Sequence, residues 1–181
     1  MEKTNKPMFR DLTADEIDVR VATVNEKGIT LLLYKDARCD MNILDETVGP
    51  ENWQREHYEC KGNMFCRVGI NVKFYIDSSP EWVWKSDCGT ESNTEKEKGE
   101  ASDSFKRACF NWGIGRELYT APFIWIPIDK VKTYTKNGKT AVSDTYYVEK
   151  IQIVDKKITA ISIKNNRGER VFLKAPAKGE A

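Results

Sequence analysis

A chain of 181 residues, 40% hydrophobic and 31% charged, can bury about 70% of its unfolded surface and needs no metal or disulfide to fold. Its net charge of +1 excludes a uniformly basic surface, so any site for a polyanion has to be a local basic groove. Residues 129–181 hold twelve Lys and Arg against six Asp and Glu, which leaves the preceding residues net negative.

The N-terminus, Met1 to Arg10, is polar and has no apolar core of a signal peptide. No apolar run approaches the length of a membrane span. Five cysteines without a leader read as reduced thiols of a cytoplasmic protein.

Residues 1–14 are expected to form a flexible arm, with Thr13 and Glu16 spaced to cap a short turn. Ile17, Val19 and Val21 alternate with polar residues, and Ile29 to Tyr34 is apolar, which predicts a hairpin over about 17–35. Asp40 is placed to cap a helix running to Val48, ended by Gly49-Pro50. Three strands follow, over 53–60, 64–76 and 82–88. Gly89 to Lys98 is polar enough for a loop. From Glu100 to Trp112, the residues Ala101, Phe105, Ala108 and Trp112 share one helical face. Strands return over 123–126, 131–135, 146–154, 158–163 and 171–173, with turns at Asn137-Gly138 and Asp155-Lys156-Lys157. Residues 175–181 read as a disordered tail. Clustered strands with few helices predict an α+β fold: an antiparallel β-β-β-α core, an N-terminal hairpin and a C-terminal β extension.

The stretch from Glu95 to Tyr119 is the richest in chemistry. Lys106 and Arg107 project from the flank of a helix whose Phe105 and Ala108 are buried, with Lys98 two turns earlier and Arg116 beyond the end. A row of long cations beside a sheet can track phosphates. Spacing alone equally allows Arg107 to pair with Asp103 at i, i+4. Of the tryptophans Trp53, Trp82, Trp84, Trp112 and Trp125, most belong in a core, and each has the ring needed to stack a base.

Several runs occur in a telling order: Leu44 to Gln54 (LDETVGPENWQ), Trp82 to Ser92 (WVWKSDCGTES), Ala101 to Ala108 (ASDSFKRA) and Trp112 to Tyr119 (WGIGRELY). Over about 15–125 this pattern resembles the Rad52/Rad22 family of single-strand annealing proteins, especially its small phage-encoded members. The resemblance implies a single-strand annealing domain over 15–174, with its core at 15–125 and the β extension at 126–174. It implies an oligomer, ring or filament, that holds single-stranded DNA by the backbone in a basic groove. The family's basic helix pair falls on Lys106 and Arg107, and a further family cation falls on Phe110, where it is missing. Lys35 and Arg38 lie in the connection from hairpin to helix, where the family places other groove cations. Lys85 and Arg55 are on core strands. The implied activity is ATP-independent annealing in recombination and repair within a bacterial host cell, with no catalytic residue, metal or cofactor.

Other classes compete. His57, Cys60, Cys66 and Cys88 match no common zinc spacing. Asp87, Glu91, Glu95 and Glu97 form an acidic cluster that a metal-dependent nuclease would use, and a solvated loop explains it as well. Gly138-Lys139-Thr140 ends like a P-loop, but Thr133 stands where the first glycine belongs. The basic 129–181 region is also suited to a non-catalytic interaction module, docking a single-strand-binding protein or an exonuclease.

Overall fold

The structure, a computed structural model, describes residues 6–75, 79–90 and 96–176, with the side chains of 96–98 left aside. In chain order it runs β1 (Asp18–Val24), β2 (Gly28–Tyr34), α1 (Ala37–Val48), β3 (Trp53–Cys60), β4 (Asn63–Asn71), β5 (Trp82–Cys88) and α2 (Lys96–Trp112). Then follow β6 (Ile124–Pro127), β7 (Thr133–Lys136), β8 (Lys139–Val142), β9 (Tyr146–Val154), β10 (Lys157–Asn165) and β11 (Arg170–Lys174). Helices and antiparallel sheets coexist, as expected of an α+β chain. The chain divides into two compact units. One comprises the described residues within Met1–Arg10 and Asp36–Arg116, the other those within Asp11–Lys35 and Glu117–Ala181.

The first unit is the β-β-β-α core with α1 added. Strands β3, β4 and β5 form an antiparallel sheet with β4 central, and α2 packs on β4 and β5. Cys66, Val68 and Ile70 of β4 and Phe105, Ala108 and Cys109 of α2 are fully buried. Gly89 lets β5 meet the helix, since a Cβ there would lie 2.1 Å from the Glu100 carbonyl oxygen. Glu100 and Asp103 accept hydrogen bonds from the Met64 amide and from Thr90, which fix the register of helix on sheet.

Strand β8 was not expected, and several boundaries differ from expectation, three of them in the first unit. Helix α1 starts a turn earlier, because Asp36 is the N-cap and its carboxylate accepts from the Arg38 amide at 2.8 Å. Asp40 is instead fully buried within the first turn. Strand β4 stops at Asn71, whose side-chain oxygen accepts the amides of Lys73 and Glu81 and so closes the turn. Helix α2 begins at Lys96, inside the stretch expected to be a loop; of that stretch, 91–95 lie outside the described residues.

The second unit holds a six-stranded antiparallel sheet in the order β11-β10-β9-β1-β2-β6. Its outermost strands, β11 and β6, touch, so the sheet curls around its core. Ile29, Leu31, Ile124, Ile126, Ile158, Ile161 and Ile163 fill that core. A separate hairpin, β7–β8, turns at Asn137-Gly138, where both residues have positive φ. Of the expected arm, residues 1–5 are outside the described residues, while Phe9 and Leu12 are buried. Residues 177–181 of the expected tail are also outside them. Among the described residues no helix is long and apolar enough to cross a membrane.

Candidate nucleic-acid interface

Residues paired across β3, β4 and β5 share a face. Arg55, Val68 and Lys85 are one such row, and His57, Cys66 and Asp87 are the next. Both rows face α2. The Arg55 guanidinium lies 4.6 Å from the Phe105 ring centroid, and the His57 Nε2 is 3.0 Å from the Ala101 carbonyl oxygen. The Lys85 ammonium sits 4.5 Å from the Trp112 ring and donates to the Asn111 carbonyl at 2.8 Å.

Lys106 and Arg107 are adjacent on α2, each half-buried. Lys106 has no ionic partner among the described residues. Arg107 pairs with Asp87 across to β5, Nε to Oδ1 3.4 Å, rather than with Asp103. Asp103 is taken by Thr90. Asn111 donates to the Ser86 carbonyl and to Asp87, which holds that carboxylate between helix and strand.

Arg116 and Lys85 serve the end of α2. Arg116 donates to the carbonyls of Phe110 at 2.7 and 3.0 Å and of Asn111 at 3.1 Å. The Phe110 carbonyl also accepts from the Gly113 amide at 2.9 Å, and cations at this helix end complement its dipole. Burial, and after it the charge of Arg116, holds the Lys85 ammonium below its ordinary pKa. Arg38 stands at the start of α1, exposed, 3.5 Å from Asp36. Lys35 is 1% exposed and does not join the accessible cations. The Lys98 side chain is outside the described residues.

The tryptophans divide by face. Trp53 and Trp112 lie on the α2 side, and their ring N–H groups donate to Asp45 at 2.6 Å and to the Val68 carbonyl at 3.0 Å. Trp82 and Trp84 belong to the opposite face, where the Trp84 ring covers Gly69 and carries the Arg67 guanidinium at 4.6 Å. Arg67 also pairs with Glu56 at 2.6 Å. Sequence reasoning missed the Asp87 pairing and this Arg67 array. Both join residues on different elements, and only strand register shows them.

The zinc alternative is divided between the two faces of the sheet. Among the described residues no group of three His, Cys, Asp or Glu side chains is placed to hold a metal ion. His57 and Cys66 face α2, whereas Cys88 pairs with Phe65 on the other side of the sheet. Burial pushes the Cys66 thiol up to about 11. Of the acidic cluster, Asp87 is engaged by Arg107 and Asn111; Glu91 and Glu95, and the side chain of Glu97, are outside the described residues.

A family model described as Rad52/22 family double-strand break repair protein matches residues 1–140. The chain belongs to the Rad52/22 family. At the level of the family this is a protein of DNA repair, recombination and strand annealing. The Rad52/22 match takes in the β-β-β-α core, the hairpin β1–β2 and the basic pair Lys106-Arg107, and ends within β8. Strands β9, β10 and β11 lie beyond it. No curated protein matches the chain, and no solved structure does.

Proposed function

We propose that this Rad52/22 protein is a small, phage-type member that binds single-stranded DNA by its phosphates and anneals complementary strands without ATP. The observation that carries the reading is the adjacent pair Lys106 and Arg107 on the flank of α2, with Lys106 free of any ionic partner among the described residues. Annealing makes no covalent bond. It requires phosphate repulsion to be lowered while bases stay free to pair, and Lys and Arg do this by displacing counterions. Lys106 and Arg107 hold the backbone, and Arg38 extends the track. Arg116 and Lys85 fix the end of α2, and Arg55 packs on Phe105 at its buried face. Lys98 precedes the pair on the same helix, and Lys35 contributes only if its buried side chain emerges.

Single modules of modest charge bind weakly, and a ring or filament of copies multiplies the contacts on one strand. Residues 15–174 act as the annealing domain, in the cytoplasm of a bacterial host. The test is annealing of two complementary oligonucleotides, one fluorescent and one quenching, without ATP or metal at two salt concentrations. Acceleration that fades as salt rises is expected. No acceleration, or a strictly monomeric mass by light scattering with DNA present, would overturn the reading.

A further inference from the structure

The extension beyond the family match carries a groove of its own. It is cut into the outer face of the six-stranded sheet, within the second unit, and encloses about 360 Å³. Its cause is a choice of small residues. On β10, Ile161 and Ile163 point into the core, so Ala160 and Ser162 lie on the other face, Ala160 half-buried and Ser162 covered at 4% exposure. Ala160 is paired with Gln152 of β9, while Ser162 is paired with Lys150 of β9 and Leu173 of β11. Two short side chains between longer ones leave a trough along β10. Ala175 and Pro176 close it beyond the end of β11.

The rim of this trough is cationic. Lys150 is exposed and has no ionic partner among the described residues. Arg170 and Lys164 share the one carboxylate of Glu149, at 2.7 and 2.8 Å. The Lys174 ammonium is held over the strands by the Ile158 carbonyl at 3.0 Å. Three cations, Lys150, Arg170 and Lys174, line the trough and no carboxylate does, which leaves the rim positive. The wall is apolar: Leu173 is 62% exposed, and Pro176 lies beyond it.

We propose that this groove docks an extended acidic segment of a partner protein, its carboxylates on Lys150 and Arg170 and one aliphatic or aromatic side chain in the trough over Ala160. An apolar trough with a charged rim matches recognition of a peptide by pocket and charge. No aromatic ring lines it, so the stacking that single-stranded nucleic acid uses is not offered. Charged residues on an edge strand such as β11 also deter edge-to-edge pairing. That role explains Arg170 and Lys174 but neither the trough nor Lys150 on the inner strand β9. The inference does not depend on the annealing activity, because β9–β11 lie outside the family match.

The test uses the full chain and a fluorescent nonapeptide of alternating Asp and Leu, followed by anisotropy. Saturable binding is expected, weakened about tenfold by Lys150→Glu and equally by Ala160→Leu, which fills the trough from its outward face. Unchanged circular dichroism establishes that both variants fold. Equal binding of a peptide with Lys in place of Asp, or unchanged affinity in both variants, overturns the proposal. It is also overturned if an oligothymidine displaces the peptide and loses affinity in the same two variants, since the groove is then part of a nucleic-acid surface.

Discussion

Asp87 is the residue through which a phosphate role for Lys106 and Arg107 is most sharply tested. Its carboxylate lies 3.4 Å from Arg107, both side chains partly exposed. A phosphate oxygen within hydrogen-bond reach of Arg107 would sit about 6 Å from Asp87. At the dielectric of water, two charges at that separation repel by about 0.7 kcal/mol, roughly threefold in affinity. Asp87→Asn removes this repulsion, so single-strand binding should tighten about threefold at low salt and depend more steeply on salt. The stability cost stays small, because a half-exposed ion pair contributes about 0–1 kcal/mol. Lys106→Ala should move the other way, with the slope of log K against log salt shallower by about 0.7. Arg107→Ala should weaken binding further than Lys106→Ala, since it removes a cation and leaves the Asp87 carboxylate without its guanidinium. Fluorescence anisotropy on a short oligothymidine at four salt concentrations measures all of this. The reasoning is refuted if Asp87→Asn binds less tightly than wild type, or if Lys106→Ala keeps the wild-type slope.

Other expectations concern the scaffold. Gly89→Ala drives a methyl group into the Glu100 carbonyl and should cost about 1–3 kcal/mol, read as a fall in Tm of about 2–4 °C per kcal/mol; an unchanged Tm would show that strand and helix can part freely. Arg170, Lys164 and Ser162 hold the Glu149 carboxyl well below its ordinary value of 4.5. A depressed carboxylate contributes stability that is present above the unfolded pKa and is lost as pH falls through the folded one. The Tm gap between wild type and Glu149→Gln should therefore be full at neutral pH and narrow below about pH 4.5; a gap that widens on acidification would contradict this assignment. Cys60 is exposed, whereas Cys39, Cys66 and Cys109 are buried. Iodoacetamide on the native protein should modify Cys60 first and spare those three, as peptide mass mapping will read.

The fold was legible wherever local chemistry decides it. Strands β3, β5 and β9 end where the sequence says, because turn residues flank them: Lys61-Gly62 after β3, Gly89 after β5 and Asp155-Lys156 after β9. Legibility failed where a side chain acts at a distance. Asp36 and Asp40 are both plausible caps four positions apart, and only burial distinguishes them, the first capping and the second enclosed in the core. Strand β4 looks apolar to residue 76, and Asn71 stops it through amides as far along as Glu81. The candidate site follows the same rule. Helical periodicity puts Lys106 and Arg107 on the flank of α2, but it offers Asp103 as the partner of Arg107, while the sheet presents Asp87. The sequence offers Lys85 and Arg116 as cations of the DNA site, and only the folded chain shows them bonded to the carbonyls at the end of α2.

The interleaving of the two units dictates an order of events during synthesis. Residues 36–116 form one continuous stretch, so the β-β-β-α core has nearly all of its parts once α2 leaves the ribosome. The hairpin β1–β2 emerges first yet waits longest. Asp18 pairs with Tyr147, 129 positions later, and the other side of the hairpin is covered by β6. Closing so long a loop costs little more than closing a shorter one, about 0.6 kcal/mol per doubling; the penalty falls on time rather than on stability. Throughout that interval β1 carries a bare hydrogen-bonding edge. A nascent chain stalled near residue 140 would expose this edge permanently, and the C-terminal strands thus act as the final latch on a sheet begun at the first hairpin.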